Sequence, residues 1–222
     1  MVEHGTFSIL AISKDWKLMG VAVASGSTAV GLRVPHALPG VGVVATQAYT
    51  NIAYGIEGLR LLAEGLTPEQ TLKKLLAGDP QREKRQVAIM DFAGRKAVFT
   101  GVEAPEARGE IVGEDYVVVG NFLRDIGVLE NMAKRFEEAN GKLVFRLLEA
   151  LKAGSESGGD KRGEKSAAIT VVDEKDVLLK LRVDESPNPI QKLVNTVEKR
   201  LYTAEIERRT LQDGKANCIG KT

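Results

Sequence analysis

The order in which two hydrophobic periodicities follow each other constrains the fold of this chain more than any other feature. Apolar residues recur with the spacing of strands in the early runs TFSILAIS, LMGVAVAS and GVGVVATQA. The period then changes to that of a helix from Gly55 to about Gly65, and a second helical stretch runs from Thr67 to the AGDP segment at 77–80. The first part of the chain therefore predicts a group of strands followed by a pair of helices.

The rest of the chain repeats this grouping. Two hairpin patterns, RQVAIMDF with KAVFTGV and EIVG with DYVVVGN, precede a helical block from about Asp125 to Ala153 that Asn140-Gly141 divides in two. A further hairpin, SAAITVV with VLLKLRV, precedes a last helix over 188–209. Grouped strands with grouped helices favour an α+β fold with antiparallel sheets over a doubly wound parallel sheet.

Two local signals refine this prediction. TPEQ at 67–70 is typical of a helix start, with Thr67 as N-cap, Pro68 at the first helical position and Gln70 completing a capping box. The segment RVPHALPG is turn-like and places His36 in a turn between two strands.

The chain has no internal repeat and no linker long enough to separate domains. We expect a leader at 1–5, one domain over 6–209 and a C-terminal tail at 210–222. The last helix carries a narrow apolar stripe that we expect to pack on its own sheet. A second use of that stripe, as a contact in a homodimer or a larger homo-oligomer, is the expectation for self-association.

Composition excludes several classes of function. The formal net charge of +1 gives no reason to expect nucleic acid or a membrane as partner, and no run is long and apolar enough to span a bilayer. A single cysteine, Cys218, fits a reducing cytoplasm and excludes an internal disulfide. With only two histidines, His4 and His36, we expect no zinc site and no cofactor, whereas a carboxylate-bound metal stays an open alternative.

Two glycine-rich stretches resemble ligand-binding motifs. GVGVVA at 40–45 matches a dinucleotide fingerprint, but it lies inside a strand pattern, so we interpret its glycines as allowing close packing of a sheet. The polar loop GSESGGDKRGEK at 154–165 could bind an anion through its backbone N–H groups, or it could be a solvated connection. If the loop has a function, Asp160 and Arg162 are its candidate residues.

The pair Gly5-Thr6 raises the main question about function. Thr6 is either the first residue of a strand or a nucleophile that becomes N-terminal when the Gly5–Thr6 bond is cut. A free α-amine has a pKa of about 7.7–8.0 and suits proton transfer near neutral pH. An N-terminal threonine would then hold nucleophile and base in one residue, which matters in a chain with no convincing Ser-His-Asp arrangement.

A series of segments in order along the chain resembles the prokaryotic domain of unknown function 1028, a family grouped with the N-terminal-nucleophile (Ntn) hydrolases. The resemblance rests most on ATQAYTN and GGDKRG at their separation, and it runs from Thr6 to about Leu193. The matching segments are TFSILAIS, GVAVASGSTAVG, GVGVVATQAYTNIAYGIEGLRLL, REKRQVAIMDFAGRKAVFTG, YVVVGN, GGDKRGEKSAA and LRVDESPNPI.

The resemblance implies a four-layer αββα sandwich, with two stacked antiparallel sheets between helix layers, and it places Thr6 at the nucleophile position. It also points to other polar residues that could orient the amine or donate to a developing oxyanion. We favour a structural role, in a turn or a hydrogen bond, for Asn51 and Asn121. The implied catalytic residues are Thr6, Ser25, Gln47 and Asp160, and the implied substrate-binding residues are Asn51, Asn121, Arg162 and Ser166.

This chain departs from the family pattern at two places. MVEHG precedes Thr6, so removal of the initiator methionine alone would not expose it, and Gly26 stands where members often have a basic residue. Two functions follow as alternatives. One is an Ntn-type hydrolase of a small amide or peptide that acts after residues 1–5 are removed, and the other is a non-catalytic ligand-binding or assembly protein on the same scaffold.

Overall fold

The structure is a computed structural model and describes residues 5–203. It contains ten strands: β1 Thr6–Ile12, β2 Met19–Ser25, β3 Pro35–Leu38, β4 Gly42–Ala48, β5 Arg85–Asp91, β6 Lys96–Thr100, β7 Gly109–Val112, β8 Tyr116–Asn121, β9 Ser166–Val172 and β10 Val177–Val183. The helices are α1 Ile52–Ala63, α2 Pro68–Ala77, α3 Gly127–Glu138 and α4 Leu143–Glu156, followed by α5 from residue 189 to residue 203.

The strands form two sheets in which every neighbouring pair is antiparallel. A six-stranded sheet has the order β10-β9-β2-β1-β8-β7, and a four-stranded sheet has the order β3-β4-β5-β6. Strand β1, which begins at Thr6, is therefore internal to the larger sheet, between β2 and β8.

Three apolar layers separate four layers of secondary structure. One apolar layer lies between the sheets, a second joins the six-stranded sheet to α3, α4 and α5, and a third joins the four-stranded sheet to α1 and α2. In β1, Phe7 and Ile9 pack towards the helices, whereas Leu10 and Ile12 pack towards the other sheet. The predicted four-layer αββα sandwich is confirmed.

Several sequence predictions hold at the level of single residues. Thr67 and Gln70 form both bonds of the capping box, with Pro68 in the first turn of α2. The dinucleotide-like GVGVVA lies in the turn before β4 and in β4 itself, as expected for a strand. The stripe of α5, which includes Leu193 and Val197, is buried against the chain's own sheet.

Other predictions were wrong in identifiable ways. The turn-like RVPHALPG contains edge strand β3, where Pro35 is tolerated as the first residue because an edge strand leaves one side unpaired. Helix α1 begins at Ile52 rather than Gly55, because Asn51 caps it. Helix α4 continues to Glu156, into the segment predicted as a loop.

Within residues 5–203 no helix combines the length and the apolar character that a membrane span requires. His4, Cys218, the predicted end of the last helix at 209 and the predicted tail at 210–222 lie outside the described residues.

A buried ion pair fastens the end of α2 to β5. Asp79 accepts hydrogen bonds from Arg85 Nε and from Tyr54 Oη, each at 2.8 Å, and both members of the ion pair are less than a tenth exposed. The hydrogen bond from Arg85 is the main reason that the pKa of Asp79 falls to about 2, below its usual 3.8. The ionised carboxylate is thus favoured in the folded state.

Asp79→Asn is expected to lower the free energy of unfolding by about 3 kcal/mol at neutral pH, because it leaves the buried Arg85 charge without its partner. The folded-state pKa of Asp79 is depressed. The free energy of unfolding of the wild type should therefore exceed that of Asp79→Asn by the full amount above the unfolded-state pKa, and this difference should disappear as the pH falls towards about 2. Urea unfolding of both proteins between neutral and acid pH measures this. The exposed Asp176→Asn serves as control, and a deficit independent of pH would contradict the assignment.

Candidate active site

The layer between the sheets is apolar along most of its length and becomes polar at one end. Leu10 and Ile12 of β1 face this layer, so the period of two places Ser8 and Thr6 on the same face. By the same alternation, Ser25 shares the inner face of β2 with Val23, and Asn121 shares the inner face of β8 with Val119. The polar residues that share this end of the two sheets are Thr6, Ser8, Ser25, Gln47, Gln86, Asn121 and Ser166, all buried.

The hydroxyl of Thr6 lies beside the peptide bond that precedes it. Thr6 Oγ1 is 2.5 Å from the carbonyl oxygen of Gly5 and 3.2 Å from Ser25 Oγ. Its single proton serves one of these acceptors at a time. Ser25 Oγ donates to the same Gly5 oxygen at 2.6 Å and accepts from the backbone N–H of Ser27. Thr6 is only 4% exposed, so this cluster lies beneath the surface.

The glycine-rich loop brings a charged pair to the same carbonyl group. Arg162 Nη2 donates to the Gly5 oxygen at 3.2 Å, and its guanidinium group also lies over the ring of Phe122, with Cζ 5.7 Å from the ring centroid. Asp160 accepts from Arg162 Nε at 3.0 Å and from Arg162 Nη2 at 2.8 Å, and its side chain is 0% exposed. The Gly5 oxygen therefore has three donors within hydrogen-bonding distance, one of them cationic.

The loop is held in place by several contacts. Asp160 pairs with Leu123 in an isolated bridge, and its other partners include the backbone N–H of Gly26 at 2.7 Å. Glu164 accepts from the backbone N–H of Asp160 and from Ser155 Oγ. Lys161 and Lys165 face solvent, but the expectation of a merely solvated connection is wrong for the buried Asp160.

Gly26 stands against this charged pair. A Cβ at Gly26 would lie 2.8 Å from Asp160 Oδ1, 2.8 Å from the Gly163 carbonyl oxygen and 2.9 Å from Arg162 Nε. A side chain at this position would displace the loop, so the residue after Ser25 has to be glycine here. The positive charge beside Thr6 comes from Arg162 in this chain.

A network of side-chain amides lies on the other side of Thr6. Gln47 Nε2 donates to the Thr6 carbonyl oxygen at 3.3 Å and to Gln86 Oε1 at 2.8 Å, while Ser8 Oγ donates to Gln47 Oε1 at 2.6 Å. Asn121 Nδ2 also donates to Gln86 Oε1, at 3.1 Å. Asn121 Oδ1 is buried and has no hydrogen-bond partner in the structure. The network fixes the backbone of Thr6 between the two sheets.

Gln86 is the centre of this network, and sequence reasoning missed it. Its Oε1 accepts from the side-chain amides of Gln47 and Asn121. Its Nε2 lies within hydrogen-bonding distance of the carbonyl oxygens of Gly109 and Gly120 and of Thr100 Oγ1, which share its two protons. A usable signal existed, because Gln86 precedes Ala88 and Met90 at strand spacing and so falls on the face of β5 that points between the sheets.

Gln86→Met is expected to lower the free energy of unfolding by about 3 kcal/mol, because buried amide donors and carbonyl oxygens lose their partners while side-chain volume is roughly kept. Urea denaturation measures the difference. Gln191→Met, on the exposed face of α5, is the matched control and should change stability by less than about 0.5 kcal/mol. Equal stabilities of the two variants would contradict a central role for Gln86.

Two predicted site residues, Asn51 and Ser166, lie outside the network of contacts around Gly5 and Thr6. Asn51 caps α1, where its side chain accepts from the backbone N–H of Ala53 at 3.1 Å. Ser166 lies opposite Ser25 across the β2–β9 pair, but its hydroxyl donates to the Ser27 carbonyl oxygen and accepts from the Val30 N–H. Ser166 thus holds the segment that follows β2. Residues 5–203 contain no group of three or more His, Cys, Asp or Glu side chains placed to hold a metal ion.

The fold and this site define an α+β protein of two stacked antiparallel sheets between helix layers, with a buried threonine at the start of an internal strand. The chain belongs to the family of unknown function DUF1028, whose model matches residues 6–193. No protein with curated annotation matches it.

Among solved structures, protein SPO2555 from Silicibacter pomeroyi, a DUF1028 protein, is similar to this chain. The two are 34% identical with a TM-score of 0.83, and the alignment covers 88% of this chain and 85% of that one. Anbu (ancestral beta-subunit) from Yersinia bercovieri aligns at 11% identity over 90% of this chain and 96% of its own, with a TM-score of 0.42.

Proposed function

We propose that this protein is an Ntn-type hydrolase of a small amide or peptide, with Thr6 as its nucleophile once residues 1–5 are removed. The observation that carries the proposal is the placement of two donors, Ser25 Oγ and Arg162 Nη2, on the Gly5 carbonyl oxygen, with Thr6 Oγ1 beside the same carbonyl group. Donors placed on a carbonyl oxygen stabilise the negative charge that develops there when a nucleophile attacks its carbon.

The first reaction is cleavage of the chain itself. Thr6 Oγ1 attacks the Gly5 carbonyl carbon, the C–N bond to Thr6 breaks, and the hydroxyl proton passes to the released nitrogen. The product is an ester between Gly5 and Thr6 Oγ1 together with a free α-amine. Water then hydrolyses the ester, which leaves a carboxylate on Gly5 and restores the hydroxyl of Thr6.

The second reaction repeats the same attack on an external amide. The α-amine of Thr6 takes the hydroxyl proton as Oγ1 attacks the substrate carbonyl and then gives that proton to the leaving amine. Water hydrolyses the acyl ester with the amine as base, and the acid is released. Ser25 and Arg162, which contact the Gly5 oxygen in the intact chain, would bind the substrate carbonyl oxygen in its place.

The remaining residues position these groups. Asp160 orients the Arg162 guanidinium through two hydrogen bonds, and Gln47 holds the backbone of Thr6. Asn121 lies opposite Thr6 in the β1–β8 pair, and its Oδ1 is a buried acceptor without a hydrogen-bond partner. Self-association as a homodimer or a larger homo-oligomer and a cytoplasmic location remain part of the proposal.

The second candidate is a non-catalytic protein that binds a ligand or assembles on this scaffold. The burial of Thr6 favours it, because an external substrate does not reach the hydroxyl of a residue that is only 4% exposed while Gly5 stays attached. An intact chain would then be the functional form.

The two candidates differ in how activity depends on processing. Samples of the untagged protein taken over time are analysed by intact-mass spectrometry and assayed with a panel of N-acetylated aminoacyl p-nitroanilides. If the protein is a hydrolase, its rate of p-nitroanilide hydrolysis should rise in proportion to the fraction of chains that begin at Thr6. An N-terminus that stays intact in every sample, without turnover of any amide, would instead support the non-catalytic candidate.

A further inference from the structure

The α-carbon of Gly5 is enclosed on the side where an L-amino acid carries its side chain. A Cβ placed on Gly5 would lie 2.7 Å from Asp160 Cγ and 2.8 Å from Asp160 Oδ1. Non-bonded carbon atoms in contact are normally about 3.5–4.0 Å apart. A substituent fits there only if Asp160 moves.

Asp160 has little freedom to move. Its side chain is 0% exposed, and Oδ2 accepts from the backbone N–H of Gly26 at 2.7 Å and from Arg162 Nη2 at 2.8 Å. Its Oδ1 accepts from both the backbone N–H and the Nε of Arg162, each at 3.0 Å. Moving the carboxylate would break buried, charge-assisted hydrogen bonds, so the Asp160 side chain is held in position beside the α-carbon of Gly5.

The position of Gly5 also describes where a substrate's acyl group lies, provided that the proposed function is correct. The ester formed in self-cleavage joins the Gly5 carbonyl carbon to Thr6 Oγ1, and the ester formed from an external amide joins the substrate carbonyl carbon to the same oxygen. Ser25 Oγ and Arg162 Nη2 contact the carbonyl oxygen and so orient the acyl plane. The α-carbon of the substrate then occupies the place of the Gly5 α-carbon.

We infer that the site accepts glycyl groups and rejects acyl groups that carry an L-configured substituent at the α-carbon, with Asp160 as the residue that determines this specificity. The α-nitrogen of Gly5 is acylated in the intact chain, so the acyl group can carry an acyl substituent on that nitrogen. N-acylglycyl amides and peptides with glycine on the acyl side of the cleaved bond form the substrate class.

The test in solution compares two amides that differ by one methyl group. Processed wild-type protein is assayed with N-acetylglycyl p-nitroanilide and with N-acetyl-L-alanyl p-nitroanilide. We expect kcat/KM to be at least about 100-fold higher for the glycyl amide. Equal values, or a preference for alanyl, would overturn the specificity while leaving the hydrolase intact.

The test within the chain replaces Gly5 itself. Gly5→Ala is expected to slow self-cleavage at least about 100-fold in intact-mass time courses, whereas Gly78→Ala should cleave like wild type because a Cβ there meets no atom within 4 Å. Thermal melting checks that both variants fold. Cleavage of Gly5→Ala at the wild-type rate would overturn the inference.

The two tests together separate the inference from the proposed function. One outcome is that neither amide is hydrolysed while self-cleavage is lost in Gly5→Ala but not in Gly78→Ala. It would support the exclusion of a side chain at the α-carbon of the acyl group and count against hydrolysis of external amides. Absence of both turnover and self-cleavage in the wild-type protein would remove the proposed function and the inference with it.

Discussion

Thr6→Val is expected to stop self-cleavage and to lower amide hydrolysis at least about 10⁴-fold, the largest effect that any single substitution should have on this protein. Valine keeps the branched shape of threonine but has no hydroxyl, so the attacking oxygen is lost while the start of β1 stays packed. Removing the nucleophile of comparable hydrolases reduces turnover by several orders of magnitude. Intact-mass spectrometry and the p-nitroanilide assay measure the two effects.

Thr6→Ser is the matched control, because it keeps the hydroxyl and loses only a methyl group. We expect it to retain self-cleavage and turnover within about tenfold of wild type. Wild-type rates in Thr6→Val, with a normal melting temperature, would show that another residue carries the chemistry.

Arg162→Met is expected to slow self-cleavage by about 10²–10³-fold, the second largest effect. The substitution removes a cationic donor 3.2 Å from the Gly5 carbonyl oxygen, and the loss of one such donor has this effect in other acyl-transfer sites. Lys161→Met is the control within the same loop, since it removes an equal charge that lies over the Phe122 ring, and its rate should stay within about twofold of wild type.

Arg162→Lys separates the charge from the geometry. Lysine keeps the positive charge but lacks the planar fork that also holds Asp160, so we expect a rate between those of wild type and Arg162→Met. An equal loss in Arg162→Met and Lys161→Met would indicate a general effect of loop charge and contradict a direct contact with the carbonyl oxygen.

The fold and part of the site could be predicted because they depend on local periodicity. The alternation of β1 places Thr6 on the same face as Leu10, and the same reasoning places Ser25 and Asn121 beside it once the strand order is known. Periodicity would not have selected Asp160 and Arg162. They were candidates because the polar, glycine-rich loop could bind an anion, and the family resemblance then implied a catalytic role for Asp160 and a substrate-binding role for Arg162.

The remaining features depend on contacts between segments far apart in the chain. Gln86 was missed because its role comes from meeting Gln47 on the neighbouring strand of its own sheet and Asn121 in the other sheet. Asn51 was grouped with Gln47 by motif, but the chain turns at Ala48, whose φ is +63°, so Asn51 begins a helix while Gln47 points between the sheets. Strand β3 was missed because a proline at an edge reads like a turn in sequence.

N-terminal sequencing of this protein, purified from its native host without added tags, most directly tests whether Thr6 becomes an N-terminal nucleophile. We expect a population whose sequence begins Thr-Phe-Ser, which requires cleavage of the Gly5–Thr6 bond. A single sequence beginning Met-Val-Glu would contradict it, because no free amine would then stand beside the Thr6 hydroxyl.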